Sequence, residues 1–394
     1  MKLALVIPGF QSSPDDWCIP VFTNLARELS SQVELHVFAL RYPGRRERYS
    51  IGNVYVHALG GGAFARRRVP GVSLLRLWRS FTVDVHREHK SSPFSAVMGI
   101  WATEAGWLAT RVAKLIEVPS LVHLAGGELV RIPQIGYGNH GRGLSGRLVT
   151  STLRHADLLT VPSSPMRKAL LQQGGVSPER VRGWAPGVGT QMFAPTKQNH
   201  KTGHSTSTTF VNVGSLIPVK GQDLLVRAVA RARETAPDVD IRLRIAGEGV
   251  LRDVLNNLIS DLDLTGYVTL EGDIPHEELP HLYNCADAFI LGSWHESQCM
   301  AALEAMACGL PWVAPPVGAI VDVSAVRKSP RGSGIIFDRR DPDLVARAMI
   351  RLATMSLVER QELGRNARKI VQEQYDMEKQ AAMLLDILGQ LTGS

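Results

Sequence analysis

Cysteine is scarce in this 394-residue chain, and long apolar runs are missing. The four cysteines, Cys18, Cys285, Cys299 and Cys308, form no C-x-x-C pair. This argues against a disulfide framework or a zinc site, and it predicts reduced thiols in a cytoplasmic protein. No stretch approaches the roughly 20 apolar residues that a transmembrane helix needs. The opening Met1–Pro8 is too short for the apolar region of a signal peptide.

The basic residues exceed the acidic ones, giving a formal net charge of +7, and much of the excess lies between Arg41 and Lys90. No recognised nucleic-acid-binding module is found there, so a nucleic-acid partner is disfavoured. Within this segment, 74–89 has the spacing of a basic amphipathic helix carrying Trp78 and Phe81. Two interpretations remain open. The helix either contacts an anionic membrane surface, at the inner face of the membrane, or packs its apolar stripe on its own domain.

Short apolar runs alternate with helical patterns along most of the chain, which predicts an α/β protein with doubly wound parallel sheets. The length is sufficient for two such domains. We place an N-terminal Rossmann-like domain, on the acceptor side, at 1–195 and a polar linker at 196–209. A second Rossmann-like domain occupies 210–374, and a C-terminal helix at 375–394 packs back toward the first domain. The strands predicted in the first domain are 3–8, 33–40, 54–59, 96–100, 120–124 and 158–161.

The stretch 294–311, W-H-E-S-Q-C-M-A-A-L-E-A-M-A-C-G-L-P, follows a short apolar strand and has the pattern strand, polar turn, helix. Glu296 falls in the turn, and Glu304 falls on the helix about two turns further on. Backbone N–H groups at the start of a helix bind phosphates, and buried carboxylates hold the hydroxyl pairs of sugar rings. The pattern therefore suits a sugar nucleotide, although a buried helix with a capping glutamate would show the same spacing.

This stretch resembles the signature of glycosyltransferase family four, which are retaining enzymes of GT-B fold. Their motif is E-x7-E followed by A-M-A-x-G-x-P. Three further segments resemble motifs of that family in the same order: Val213–Gly221, Ile245–Gly249 and Val268–Gly272. Four ordered motifs are far more specific than any one of them.

The resemblance implies two Rossmann-like domains with a cleft between them, and a hexosyltransferase that uses a nucleotide-diphosphate sugar and neither metal nor cofactor. It assigns Glu296 to the hexose hydroxyls and Lys220 to the diphosphate, with His123 as a further contact of the hexose. Glu304 would bind the ribose, and the amides near 298–300 would receive the distal phosphate or the sugar. The residues implied to line the donor are Glu304, Gly214, Ser215, Gly247, Gly272, Gln298, Cys299 and Met300.

The sequence departs from the family pattern at several positions. Ser215 replaces the arginine that usually accompanies Lys220, and Cys299 replaces a glycine. Ala125 occupies the position expected for the histidine, one pleat beyond His123, so His123 is either a donor contact or a structural histidine. The acceptor is a glycan, a lipid or a small molecule. A nucleotide-sugar epimerase or hydrolase, or a member that binds without turnover, remains an alternative.

Overall fold

The computed structural model describes residues 1–13, 16, 18–62, 71–138, 141, 143–196, 207–326 and 332–393, with only the backbone of 71 and 72. Residues 1–187 and 377–394 form one unit, and residues 188–376 form the other. The predicted linker lies mostly outside the described residues, at 197–206.

The first unit is built on an eight-stranded sheet in the order β3-β4-β2-β1-β5-β6-β7-β8. Its neighbouring strands are parallel except for β3 and β4. The strands are β1 Lys2–Gly9, β2 Glu34–Tyr42, β3 Arg46–Ile51, β4 Val54–Leu59, β5 Ala96–Ile100, β6 Ser120–His123, β7 Leu158–Val161 and β8 Val181–Gly183.

Sequence patterns did not predict β3 or β8. The residues of β3 alternate between exposed and half-buried, because the strand pairs antiparallel with β4 at the edge of the sheet. An edge strand with no fully buried face carries no apolar run, so the signal for a buried strand is missing. Strand β8 has only three residues. The six predicted strands are present with ends shifted by at most two residues.

Helices cover both faces of this sheet: α1 Pro20–Leu29, α2 Gly71–Ser91, α3 Glu104–Leu115, α4 Gly143–His155, α5 Ser164–Gln172 and α13 Met377–Thr392. Alternate residues of β1 enter different cores. Leu5 packs with α1 and α13, while Val6 packs with α2 and α3. Because both faces are buried, β1 is apolar at nearly every position, as parallel strands usually are.

Helix α2 contains the basic segment 74–89, and its aromatic residues face the protein. Phe81 is fully buried in the core beneath the helix. Trp78 packs against the same core, and its indole Nε1 donates to Glu104 Oε1 at 2.7 Å. These are the contacts of the second interpretation, in which the helix packs its apolar stripe on its own domain. Arg76 and Arg79 are exposed.

Helix α13 packs in the first unit, as the sequence predicted for the C-terminal helix. Leu384 and Leu388 are buried in the core that includes α1. The indole of Trp184 donates from Nε1 to the carbonyl oxygen of Gln380 at 2.8 Å. The last helix is thus an integral part of the first sheet's helical layer.

The second unit contains a six-stranded parallel sheet in the order β11-β10-β9-β12-β13-β14. Its strands are β9 Thr208–Val213, β10 Ile241–Ala246, β11 Val268–Gly272, β12 Ala288–Ile290, β13 Trp312–Ala314 and β14 Gly334–Ile336. Its helices are α6 Gln222–Thr235, α7 Arg252–Asp261, α8 Leu279–Asn284, α9 Met300–Ala307, α10 Ala319–Ala325, α11 Pro342–Ala353 and α12 Leu357–Gln374.

Helix α7 ends at Asp261, and both Asp261 and Asp263 are exposed. These two aspartates therefore belong to a solvated helix end. None of the helices in the described ranges is both long and apolar enough to cross a bilayer.

Candidate functional site

Three predicted glycines lie side by side at one edge of the second sheet. Gly214, Gly247 and Gly272 come at the carboxyl ends of β9, β10 and β11, which are adjacent strands. Gly214 N donates to Ala246 O at 2.9 Å, and Gly247 N donates to Gly272 O at 2.7 Å. At Gly247 φ is +133°, and an added Cβ would collide with the carbonyl oxygen of Gly214. Glycine is required here because two backbones approach each other at the edge where open α/β sheets bind ligands.

Lys220 and Glu296 meet at the same edge. Lys220 Nζ lies 2.8 Å from Glu296 Oε1, and Ser293 Oγ donates to that oxygen at 2.6 Å. Glu296 is 8% exposed. The two loops are joined by the backbone, since Trp294 N donates to Val219 O at 2.8 Å. The structure thus brings together a cation and a carboxylate that are 76 residues apart in the chain.

Glu304 lies on α9 and is 7% exposed. Its two oxygens have different partners. His276 Nε2 lies 3.2 Å from Oε1, and the Tyr283 hydroxyl donates to Oε2 at 3.1 Å. Burial and then the charge of Glu304 raise the pKa of Tyr283 well above its usual value, so the phenol stays protonated. Each carboxylate oxygen has two lone pairs, so each keeps one for a ligand hydroxyl.

Cys299 precedes α9 in the left-handed conformation, with φ of 79°. That conformation favours glycine because a Cβ crowds the following carbonyl. The family's glycine at this position is therefore explained by backbone conformation as well as by close approach to a donor. The thiol is buried, and burial, followed by the charge of Glu296, raises its pKa.

Gln298 and Met300 flank Cys299 at the start of α9. The carbonyl oxygen of Gln298 accepts from Ala319 N at 2.8 Å, at the first residue of α10. A Cβ at Gly318 would lie 2.7 Å from that carbonyl oxygen, so the glycine retained there allows the two turns to meet. The helix begins at Met300.

Ser215, where the family has an arginine, is exposed. Its carbonyl oxygen accepts from Gln222 Nε2 at 3.1 Å, which ties its loop to the first residue of α6. A different arginine, Arg340, lies nearby in the fold. Its Nη1 donates to the carbonyl oxygen of Gly292, and its guanidinium lies 4.1 Å from the centroid of the Trp294 ring. Arg340 therefore braces the turn that leads to Glu296.

His276, Tyr283 and Arg340 are site residues that sequence reasoning missed. Each comes from an element other than the strand and helix of the main motif: the loop after β11, helix α8 and the loop after β14. A histidine or tyrosine in a short polar segment carries no spacing signal. Only the fold brings these residues to the two glutamates.

His123 belongs to the first unit and ends β6. It is 1% exposed, its Nδ1 lies 3.0 Å from Thr160 Oγ1, and its ring lies edge-on to Trp184. Burial lowers its pKa to about 3, so the imidazole is neutral. These are the contacts of the structural histidine that was one of the two alternatives. Ala125 lies beyond the end of β6, so strand alternation does not relate it to His123 as expected.

The carboxylate of Glu128 stabilises the turn after β6, and the sequence analysis did not identify this residue. Glu128 is 1% exposed and accepts from the backbone amides of Ala102, Ala125 and Gly126 at 3.3, 3.2 and 2.7 Å. Burial raises its pKa, while these amides act in the opposite direction. Its role is to hold the loops after β5 and β6 together.

Two family models match the chain. The model for a glycosyl transferase 4-like domain matches residues 19–187, and the model for glycosyl transferases group 1 matches residues 195–370. The chain thus contains a glycosyl transferase 4-like domain followed by a glycosyl transferases group 1 domain. The motif residues of the second unit lie inside the second match.

Curated relatives of this glycosyltransferase include the D-inositol 3-phosphate glycosyltransferase of Thermobifida fusca, which is 32% identical over 210 residues. That match covers 50% of this chain and 48% of the relative. A GDP-mannose-dependent alpha-(1-6)-phosphatidylinositol monomannoside mannosyltransferase of Mycolicibacterium smegmatis is 31% identical over 206 residues, 49% of this chain and 52% of that protein. The chain thus spans about half the length of the curated relatives it matches.

Solved structures place this glycosyltransferase in the GT-B fold. Sucrose-phosphate synthase from Thermosynechococcus elongatus superposes with a TM-score of 0.79 and 20% identity, over 100% of this chain and 99% of that one. Anabaena HepE in complex with UDP-glucose superposes with a TM-score of 0.74 and 16% identity, over 99% and 100%. The expected fold, with two Rossmann-like domains and a C-terminal helix, is confirmed.

Proposed function

We propose that this glycosyltransferase transfers a hexose from a nucleotide-diphosphate sugar to a hydroxyl acceptor, with retention of configuration and without a metal ion. The observation that carries the proposal is the Lys220–Glu296 pair, with Glu304 eight residues further along the chain on α9. An ammonium, two buried carboxylates and the amides at the start of α9 offer complementary groups to each part of such a donor.

Each group has a separate role. Glu304, held by His276 and Tyr283, binds the ribose hydroxyls of the nucleotide. Lys220 binds the diphosphate, and the amides at 298–300 receive the distal phosphate or the sugar. Glu296 binds the hexose hydroxyls. Gly214, Gly247 and Gly272 leave room for the donor at the sheet edge.

Bond cleavage transfers negative charge to the departing diphosphate, and Lys220 stabilises that charge. The acceptor hydroxyl attacks from the face that the diphosphate leaves, and a diphosphate oxygen takes its proton. No protein nucleophile is needed in this scheme. The residues of the site orient the two substrates and support an oxocarbenium-like transition state.

The acceptor is a glycan, a lipid or a small molecule. The names of the two curated relatives mention inositol phosphate and phosphatidylinositol mannoside. A phosphorylated cyclic polyol is therefore the first acceptor class to examine. One structural neighbour, Anabaena HepE, is known in complexes with UDP and with UDP-glucose, which makes uridine donors the first to examine.

A thermal-shift screen with nucleotide diphosphates and their sugars tests donor binding, because a ligand at a hundred times its Kd stabilises by about 2.7 kcal/mol. Transfer is then measured with and without acceptor, and the anomeric configuration of the product is read by NMR. We expect product only with acceptor, and in the configuration of the donor. Donor consumption without acceptor would instead favour the hydrolase or epimerase alternative, and binding without any consumption would favour a member that has lost turnover.

A further inference from the structure

A cluster of metal-ligating side chains lies in the first unit, among residues that the proposed transfer does not use. His36 lies on β2, His57 on the neighbouring β4, and Glu88 on α2, which covers that face of the sheet. One ligand atom from each residue can be chosen so that the three lie within 4.8 Å of one another. Both histidines are buried, and Glu88 is partly buried.

The imidazole of His36 is already oriented as a metal ligand usually is. Its Nε2 lies 3.1 Å from Glu34 Oε1, and Lys2 Nζ holds the same carboxylate oxygen at 3.0 Å. Because Nε2 donates to Glu34, the lone pair of His36 is at Nδ1, which faces His57. A carboxylate behind a histidine is the arrangement that fixes the tautomer of ligating histidines.

His57 is held by ring stacking rather than by hydrogen bonds alone. Its ring stacks on Phe38 at 4.5 Å between centroids, with 12° between the planes. Its Nε2 lies 2.9 Å from His36 Nδ1. Its Nδ1 is buried and has no hydrogen-bond partner within the described part of the chain. In this contact His57 Nε2 donates to His36 Nδ1, so a metal ion that binds both nitrogens requires the proton of His57 to move to its Nδ1.

Glu88 contributes the negative charge. Arg48 Nη1 donates to Glu88 Oε1 at 2.9 Å, so an arriving cation competes with this arginine for the carboxylate. Arg48 also lies opposite His57 in the β3–β4 pairing. Its charge opposes cation binding, which makes the affinity of the cluster sensitive to this one residue.

We propose that His36, His57 and Glu88 bind one divalent transition-metal ion of the kind that imidazole favours, such as Zn²⁺. Tetrahedral zinc with bonds of about 2.0 to 2.1 Å to nitrogen places two imidazole nitrogens about 3.4 Å apart, so the two rings need to separate by about half an ångström. Water completes the coordination. The ion would join β2, β4 and α2 and stabilise the first unit.

Titration of the metal-free full chain with Co²⁺, followed by its visible absorption, tests the proposal, and Zn²⁺ then displaces the cobalt. We expect one tetrahedral site per chain. Glu88→Gln removes a ligand at the surface end of the cluster and should weaken binding by about tenfold or more. Arg48→Gln is the matched control, because it breaks the same ion pair but keeps the carboxylate. The metal affinity of the Arg48→Gln variant should be unchanged or higher.

Two exposed residues at α8 offer a competing pair, since His281 Nε2 lies 3.6 Å from Cys285 Sγ. The titrations are therefore repeated in the His281→Gln, Cys285→Ser background. Retention of the tetrahedral signal there supports the buried cluster. Loss of the signal in that background, or equal weakening by Glu88→Gln and Arg48→Gln, would overturn the proposal.

Discussion

Lys220 Nζ lies 2.8 Å from Glu296 Oε1, and the hydroxyl of Ser293 donates to the same oxygen. A donor diphosphate that binds Lys220 must therefore compete with this carboxylate for the ammonium. Exchange of partners is possible because the side chain of Lys220 is 28% exposed, while Glu296 remains anchored by Ser293. The pair links diphosphate binding to the position of the group proposed to hold the hexose.

Replacement of Lys220 tests the proposed stabilisation of the leaving group. Lys220→Ala should lower kcat by roughly 10²- to 10³-fold, the usual effect of removing a group that supports developing negative charge. Arg231→Ala, which removes an exposed cation from α6, is the control and should leave transfer unchanged. Turnover at the unsubstituted level in Lys220→Ala would mean that another residue stabilises the diphosphate.

Replacement of Glu304 and replacement of Glu296 should affect different kinetic constants. Glu304 holds a ribose that does not change during reaction, so Glu304→Ala should chiefly raise the donor KM. Glu296 faces a hexose whose charge changes, so Glu296→Ala should chiefly lower kcat. Each charge-assisted contact contributes roughly 1.5 to 3 kcal/mol, or about ten- to a hundredfold. Calorimetry with free nucleotide diphosphate, which lacks the hexose, should show weaker binding only for Glu304→Ala. The reverse pattern would mean that the roles are exchanged.

Tyr283 is predicted to orient Glu304. Tyr283→Phe removes the hydrogen bond to Oε2 but keeps the ring, so the free energy of unfolding should fall by about 1.5 to 3 kcal/mol. Nucleotide affinity should fall as well, because the carboxylate loses one constraint. Tyr267→Phe, where the ring lies against Arg233, is the control. A loss of stability with unchanged nucleotide affinity would limit Tyr283 to a structural role.

The left-handed conformation of Cys299 predicts different stabilities for two small replacements. Cys299→Ala and Cys299→Gly both remove the buried thiol, but only glycine relieves the crowding at φ 79°. Chemical denaturation should show the glycine variant to be more stable than the alanine variant by about 1 kcal/mol. Donor KM should not rise in Cys299→Gly. If the alanine variant is equally stable, the residue does not hold this conformation in solution.

Helix α2 can contact an anionic membrane only through its outer face, because Phe81 and Trp78 face the protein. The exposed groups there include Arg76, Arg79 and Leu75. The membrane hypothesis predicts sedimentation with anionic vesicles, weakened by salt and by Arg76→Glu with Arg79→Glu. Equal recovery with neutral and anionic vesicles would exclude it.

The sequence alone determined most of the architecture and the main motif. Central parallel strands such as β1 are apolar at nearly every position because they are buried on two faces. The motif from Glu296 to Glu304 is local, so its strand, turn and helix follow from neighbouring residues. Motif resemblance also indicated Gly214 and Gly247, which lie directly after β9 and β10, and Lys220, which lies two residues before α6.

The tertiary structure determined which side chains contact the site residues. Nothing in the spacing of residues predicts that Tyr283 reaches Glu304, or that Arg340 braces the turn before Glu296, because these contacts join separate elements. The edge strand β3 and the conformation of Cys299 were also missed, since neither leaves an apolar pattern. His36 and His57 are 21 residues apart, and only the pairing of β2 with β4 brings the two rings together. Periodicity reports which face of an element is buried, whereas the identity of the neighbour across that face depends on how the elements pack.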